Sequence, residues 1–251
     1  MTKTVLITGA GTGFGRGAAE ALANRGHHVI ATVFGDDEVD ELSAALPNLT
    51  VAKLDVTNAD DVATLDQWEI DVLINNAALG QTGPLSRIPQ ELVRRVFETN
   101  VFGTLAVTQR VADQMRARRA GRILIVSSIA GLFAGPGSGP YSMTKHALQA
   151  MGSALRAELA PFGIDVALIN PGPFATGFND RMAENPGDWF DPSTSPPEDV
   201  AMMEKLRQRI TVGQFDPPDV VKVYVDLVEA EATELINLIP PDIVERFARP
   251  R

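Results

Sequence analysis

Along the chain, short apolar runs alternate with longer stretches whose apolar residues recur at helical spacing. The runs TVLIT (4–8), HVIATVF (28–34), TVAKLDV (50–56), IDVLINN (70–76), GRILIVSS (121–128), IDVALIN (164–170) and ELINLI (234–239) read as strands. Helices are expected over residues 13–25, 36–46, 89–119, 141–162 and 217–230, the third broken near residues 100–103. Several strands are apolar at successive positions, the pattern of a parallel sheet covered by helices on both faces. The prediction is an α/β fold, one doubly wound parallel sheet of about seven strands in a single domain over residues 1–251. Residues 172–215 break the rhythm, mixing Pro, Gly, Asp, Ser and Asn with Phe174, Phe178, Trp189 and Phe190, and no strand is legible there. So long a segment inside a compact domain is expected to act as a lid over a site, here about residues 173–213.

Composition narrows the classes of function. An apolar content of 45% and a charged content of 22% fit a soluble globular domain. No run reaches the ~20 apolar residues of a spanning helix, and the first strand leads straight into glycine rather than into a signal-peptide core. A cytoplasmic protein with no membrane partner is expected. The net charge of −10 argues against nucleic acid. With no cysteine, disulfides and thiolate chemistry are excluded. His27, His28 and His146 lack metal-ligand spacing, so no metal is expected. The cluster Arg116, Arg118, Arg119 and Arg122 lies near a helix end and reads as a solvated cap.

The densest local signal is TGAGTGFG, residues 8–15, with four glycines between the first strand and the first helix. Glycine loses the most freedom on folding, so such a cluster needs a reason. A loop through which backbone approaches a pyrophosphate at a helix N-terminus is one. A plain strand-to-helix turn is another, and Gly9-x3-Gly13-x-Gly15 departs from the G-x-G-x-x-G fingerprint. Tyr141 and Lys145, in YSMTK, stand four apart on one helix face, a spacing shared with ordinary surface pairs. Ser128 closes the fifth strand at the edge where open α/β sheets bind ligands.

Together these residues resemble the short-chain dehydrogenase/reductase family over nearly the whole chain. The resemblance is carried by Thr8 to Gly15, Asp55 in LDV, NNAA from Asn75 to Ala78, Asn100, Ser128, Tyr141-x3-Lys145 and Pro171-Gly172-x3-Thr176, in family order and spacing. It implies a Rossmann-type sheet and an NAD(P)-dependent oxidoreductase that interconverts a secondary alcohol and a ketone. The implied catalytic set is Asn100, Ser128, Tyr141 and Lys145. Tyr141 would exchange the hydroxyl proton; a free phenol titrates near ~10, and Lys145 beside it would favour the phenolate. Ser128 would orient the substrate oxygen, and Asn100 would hold a proton-relaying water. The implied cofactor set is the loop residues Gly9, Thr12, Gly13, Phe14 and Gly15 toward the pyrophosphate, Phe34, Asp55 and Val56 toward the adenine, and Asn75, Asn76 and Ala77 along the ribose. Pro171, Gly172 and Thr176 would complete it at the carboxamide, with Tyr141 and Lys145 at the nicotinamide. The family's helix at this position joins subunits, and Ala147, Ala150, Gly152 and Ala154 would permit that in a homodimer or homotetramer or serve internal packing.

Departures from the family pattern carry information. Ala78 replaces a glycine, the stretch from Asp55 to Asn75 is short enough to stunt its helix, and Val33 and Phe34 stand where an Asp or Arg often selects the cofactor. Neither Thr12 nor Phe34 is basic, while Asp36 and Asp37 would repel a 2′-phosphate, which favours NAD slightly over NADP; Arg16 argues weakly the other way. Asp36, Asp37, Glu38 and Asp40 otherwise read as a charged helix start. Leu79, Leu132, Phe133, Phe174, Phe178, Met182, Trp189 and Phe190 suggest an apolar or ring-shaped small-molecule substrate or a lid packed on its own body. A dinucleotide-binding sensor without turnover and a non-redox relative such as halohydrin dehalogenase are the alternatives. Lys145 and the glycine loop oppose the second, and the intact Ser128, Tyr141 and Lys145 oppose the first.

Overall fold

The computed structural model describes residues 1–248. Seven strands, β1 (Thr4–Ile7), β2 (His28–Val33), β3 (Thr50–Lys53), β4 (Val72–Asn75), β5 (Gly121–Val126), β6 (Ile164–Pro171) and β7 (Ile236–Ile239), form one sheet in the order β3-β2-β1-β4-β5-β6-β7. Every neighbouring pair is parallel. Helices α1 (Gly13–Asn24), α2 (Asp36–Ala45), α3 (Ala59–Ala63), α4 (Gln90–Phe97), α5 (Thr104–Arg118), α6 (Gly139–Leu159), α7 (Phe178–Glu184), α8 (Pro197–Thr211), α9 (Pro218–Glu229) and α10 (Ile243–Ala248) connect and cover it.

Alternate residues of β1 feed two separate cores, as a period of two requires in a strand buried on both faces. Val5 and Ile7 pack with Ala18 and Leu22 of α1 and Val220 and Tyr224 of α9. Leu6 packs with Leu73 and Ile123 and with Val107, Val111 and Leu148 from α5 and α6. Each Leu or Ile so buried contributes roughly 1.5–3 kcal/mol against the entropy of ordering the chain. Gly152 brings α6 onto β6: a Cβ there would meet Leu168 Cγ at 2.8 Å. That glycine therefore serves internal packing.

Three local expectations are corrected. The helix over residues 89–119 is not interrupted: α4 passes into α5 through a π-helical stretch, Glu98–Gly103, so the chain widens by a residue rather than breaking. The lid segment is largely helical, since α7 and α8 lie within it, and their Pro- and Gly-rich flanks masked the helical spacing. Arg122 is not part of a solvated cap. It is 6% exposed, and its guanidinium donates to the carbonyl oxygens of Ala230 (2.8 Å) and Glu231 (3.1 Å) and pairs with Asp165 (3.2 Å). Carbonyls freed where α9 ends attract that cation inward. Arg116 and Arg119 instead lie over the Phe162 ring.

The expected stunting after Asp55 is present as α3, only five residues long. Chain order reverses between β1 and β4, which are adjacent in the sheet while β2 and β3 lie on the far side of β1. Open α/β sheets carry a crevice at such a point, beyond the C-terminal strand ends. No helix among the described residues is long and apolar enough to cross a membrane.

Candidate active site

A cavity of about 1170 Å³ runs along the C-terminal edge of the sheet. Its wall is built from the segments that follow successive strands: residues 9–14 after β1, Phe34 after β2, 54–57 after β3, 76–79 after β4, 126–130 at and after β5, and 171–174 at the end of β6 and beyond it. Residues from α4, α6, α7 and α8 complete it.

At one end the glycine loop leads into α1. Gly9 has φ +66°, and a Cβ there would meet Ala77 Cα at 2.8 Å, so the close passage of the β1 and β4 extensions requires glycine. Gly13, at φ +56°, faces Thr176, whose Cβ lies 3.3 Å from where its own Cβ would be. The side chain of Thr12 does not cap α1, and the first turn of that helix holds no acid. The N–H groups of that turn are thus left for an anion. The loop, the bare helix end and the adjoining cavity fit the pyrophosphate of a dinucleotide.

Toward the middle, Asn76 donates from Nδ2 to the carbonyls of Thr8 and Gly9, both at 2.9 Å, and accepts from the Tyr224 hydroxyl at 3.0 Å. Thr8 Oγ1 accepts from the N–H groups of Asn76 and Ala77, each at 3.0 Å. Asp55 accepts from the backbone N–H (2.9 Å) and hydroxyl (2.7 Å) of Thr57, and lines the wall with Val56.

At the other end α6 brings Tyr141 and Lys145 beneath Ser128. Ser128 is positioned by Asn170, whose Nδ2 donates to its carbonyl at 3.0 Å. Burial pushes the Tyr141 phenol above its ordinary pKa, and a hydrogen bond with Ser128 pulls it partly back. The Lys145 ammonium lies 5.4 Å from the Tyr141 ring centroid and donates to the Val126 carbonyl at 2.8 Å. It is 2% exposed, and burial lowers its pKa to about 7. Both shifts arise mainly from desolvation, which disfavours the charged form of each group.

Of the residues expected from the sequence, the wall contains Gly9, Thr12, Gly13, Phe14, Phe34, Asp55, Val56, Asn76, Ala77, Ser128, Tyr141, Lys145, Pro171, Gly172 and Thr176. Gly15, Asn75 and Asn100 lie behind it. Gly15 is where α1 presses on the loop: a Cβ there would meet Gly9 O at 2.6 Å. The Asn75 side chain donates to Thr108 Oγ1 at 2.9 Å. The fully buried Asn100 side chain accepts from the Leu79 N–H (2.7 Å) and donates to Leu79 O (2.8 Å) and Thr144 Oγ1 (3.1 Å). Both its amide hydrogens are thereby engaged, and it ties the π-helical stretch to the segment after β4.

Sequence reasoning missed other wall residues. Glu38 sits over Gly11: a Cβ on that glycine would meet Glu38 Oε2 at 2.8 Å. Its place in an acidic run concealed that approach. Arg181 and Arg209 also line the cavity, from a segment whose helices were not legible. Among the described residues, no group of three His, Asp or Glu side chains is placed to hold a metal ion.

The fold and this cavity define a doubly wound nucleotide-binding protein with a Ser-Tyr-Lys cluster at the far end of the nucleotide groove. A model of the short chain dehydrogenase family matches residues 3–187, and the chain belongs to that family of oxidoreductases. It is 37% identical over 200 residues to the uncharacterized oxidoreductase YbbO of Escherichia coli K12, covering 74% of each chain. It is 34% identical over 246 residues to retinol dehydrogenase 8 of Homo sapiens, covering 91% of this chain and 78% of the relative. A short chain dehydrogenase/reductase of Burkholderia phymatum, solved in complex with NAD, superposes with a TM-score of 0.80 at 27% identity, over 98% of this chain and 91% of the other.

The buried lysine makes stability pH-dependent. Lys145 falls from 10.5 to about 7 on folding, so between those values the unfolded chain binds a proton that the native state does not. Stability attributable to this group therefore rises from pH 7 to pH 10.5 and is flat below 7, where the native state carries the buried charge. Urea unfolding of the wild type should show this gain relative to Lys145→Met, on the order of a few kcal/mol. Parallel pH curves for the two proteins would contradict it.

Proposed function

We propose that this chain is an NAD(P)-dependent alcohol dehydrogenase or ketoreductase that interconverts a secondary alcohol and a ketone on a largely apolar substrate. The observation that carries the reading is the Tyr141 phenol, hydrogen-bonded with Ser128 and flanked by Lys145, in the wall of the cavity that the glycine loop also lines. The cofactor is NAD or NADP. When bound, it gives hydride to the substrate carbon or takes hydride from it. In reduction Tyr141 delivers its hydroxyl proton to the carbonyl oxygen, and in oxidation it takes that proton back. Ser128 donates to the same oxygen and orients it. Lys145, held on Val126, supports the phenolate that delivery leaves and would bond the nicotinamide ribose. Phe178 packs on the Tyr141 ring, with centroids 5.7 Å apart, and Phe133 and Met182 line the same end, which supports an apolar substrate body. Residues 173–213 form the cover of this single domain.

Removing only the Tyr141 hydroxyl tests the chemistry. Tyr141→Phe keeps the ring packing, so cofactor affinity should stay within about threefold while kcat falls by at least ~10²–10⁴-fold. Retention of most of the wild-type kcat would remove Tyr141 as the proton carrier.

We infer a preference for NAD over NADP. The Glu38 carboxylate has no hydrogen-bond or ion-pair partner among the described residues and lines the cavity beside Gly11 and Phe34. There it can accept from ribose hydroxyls and repels a 2′-phosphate. Arg16, the nearest basic candidate in the sequence, is turned toward Glu41 at 4.0 Å. Glu38→Gln should shrink the ratio of the NADP to the NAD dissociation constant by about tenfold, as loss of one charge contact does. Fluorescence titration measures both constants, and an unchanged ratio would exclude Glu38 from the choice.

We further infer a symmetric homodimer or homotetramer. Met143, Ala150 and Ala154 of α6 and Phe102 in the neighbouring π-helical stretch are exposed, and small or apolar side chains on one long helix suit an isologous contact. Light scattering at micromolar concentration should show the oligomer; monomer alone would overturn this.

A further inference from the structure

The carboxylates of the cavity wall all come from segments that follow β2, β3 and β4. These acids are Glu38, Asp55 and Glu98, and the same part of the wall holds one cation, Arg95 of α4. The segments that follow β5 and β6 contribute Lys145, Arg181 and Arg209 and no carboxylate. This end is cationic in a chain whose net charge is −10.

The two arginines differ from most others in the molecule. Arg25, Arg87, Arg110, Arg122, Arg156 and Arg207 all pair with carboxylates. Arg181 and Arg209 have neither carboxylate, carbonyl nor ring partner among the described residues. Their positions follow from the glycines they cover. Arg209 Nη2 lies 2.9 Å from where a Cβ of Gly135 would be, within the loop that joins Ser128 to Tyr141. Arg181 Nη1 lies 3.0 Å from the corresponding point on Gly177, next to Thr176. Each stands in the last turn of its helix, where the dipole tolerates a cation, but that alone does not direct both into one cavity. Phe133, Phe178, Met182 and Ile210 supply apolar surface around them.

We propose that the substrate is an anionic amphiphile, a carboxylate or related oxyanion on an apolar body that bears the reacting ketone or alcohol, and that Arg209 holds the anionic group. This rests on the oxidoreductase reading for the identity of the reacting carbon, and on the charge pattern alone for the anion. Arg209 acts on the substrate rather than on the cofactor because it covers the Ser128–Tyr141 loop, whereas Arg181 stands nearer the glycine loop across Thr176. A guanidinium fork matches a carboxylate or sulfonate in two parallel hydrogen bonds. Both side chains are exposed, so screening limits the effect of each to a modest factor.

Calorimetric titration of the cofactor-loaded protein with decanoate, decanesulfonate and decanol tests the site without turnover. At least one anion should bind about tenfold more tightly than decanol, and which anion does so identifies the head group. Arg209→Gln should bring the three ligands to one affinity, and Arg209→Lys should keep part of the preference for the anion. Equal binding of decanol and both anions, no binding of either anion, or an undiminished preference in Arg209→Gln would each overturn the proposal. A loss of cofactor affinity in Arg209→Gln would assign that residue to the cofactor and overturn it as well. Reduction of matched keto acids and their methyl esters separates the two readings. Anion binding without turnover of any ketone removes the oxidoreductase reading and leaves the site. Equal turnover of acid and ester, with no anion preference in binding, removes the site and leaves the reading.

Discussion

The carboxamide of Asn76 spans the point where strand order reverses, and the cavity depends on it. A parallel sheet that splits its connections to either side leaves the extensions of β1 and β4 with unpaired backbone groups at the crevice. Asn76 satisfies two of them, the carbonyls of Thr8 and Gly9, with one amide group. The Tyr224 hydroxyl, brought by α9 through the core, fixes the orientation of that amide by donating to its oxygen. Leaving one such buried group unpaired costs roughly 1–3 kcal/mol. The loop is thereby held with its glycines against the β4 extension rather than packed into the crevice.

The second constraint is the dehydration of Lys145. An amine with one carbonyl partner and 2% exposure is poorly solvated, and nothing nearby supplies a carboxylate to compensate it. It stays buried because α6 is docked at several points. Gly152 lies on Leu168, Ser127 Oγ donates to the Lys145 carbonyl at 3.2 Å, and Gln149 donates to Ser127 Oγ at 2.9 Å. The same docking places the Tyr141 phenol in an environment that disfavours its anion. Both groups are thus biased toward neutrality.

What the sequence disclosed and what it withheld follow one physical division. Elements whose signal is local were legible: the strands as unbroken apolar runs, the glycine loop by its spacing, and Tyr141 with Lys145 by helical periodicity. Elements set by tertiary contact were not. The π-helical stretch at Glu98–Gly103 keeps an ordinary composition, and only the bonds of Asn100 to Leu79 and Thr144 reveal what its register serves. Asn75 and Asn76 are identical neighbours in sequence, yet strand alternation sends one toward Thr108 and the other to the crevice. Arg122 looked like its exposed neighbours because the carbonyls it bonds lie more than a hundred residues away, past the end of α9. Glu38 was hidden within an acidic run until Gly11 was seen beneath it.

The same sheet order that separates nucleotide-lining segments from those around Ser128 also separates their chemistry. Segments after β1, β2 and β3 are anchored closely, by short connections and by the Asn76 bridge, and present backbone N–H groups and carboxylates. Segments after β5 and β6 are longer, and the second carries α7, α8 and α9. An α/β protein built this way can keep polar side chains fixed on rigid elements while longer connections cover the sheet edge. The apolar side chains of that cover do not distinguish among substrate bodies of similar size, because one methylene changes binding by only about 1–3 kcal/mol. An unpaired guanidinium discriminates by sign of charge and by direction. Selectivity at the proposed substrate site would therefore rest less on its aromatic lining than on the cations set into it.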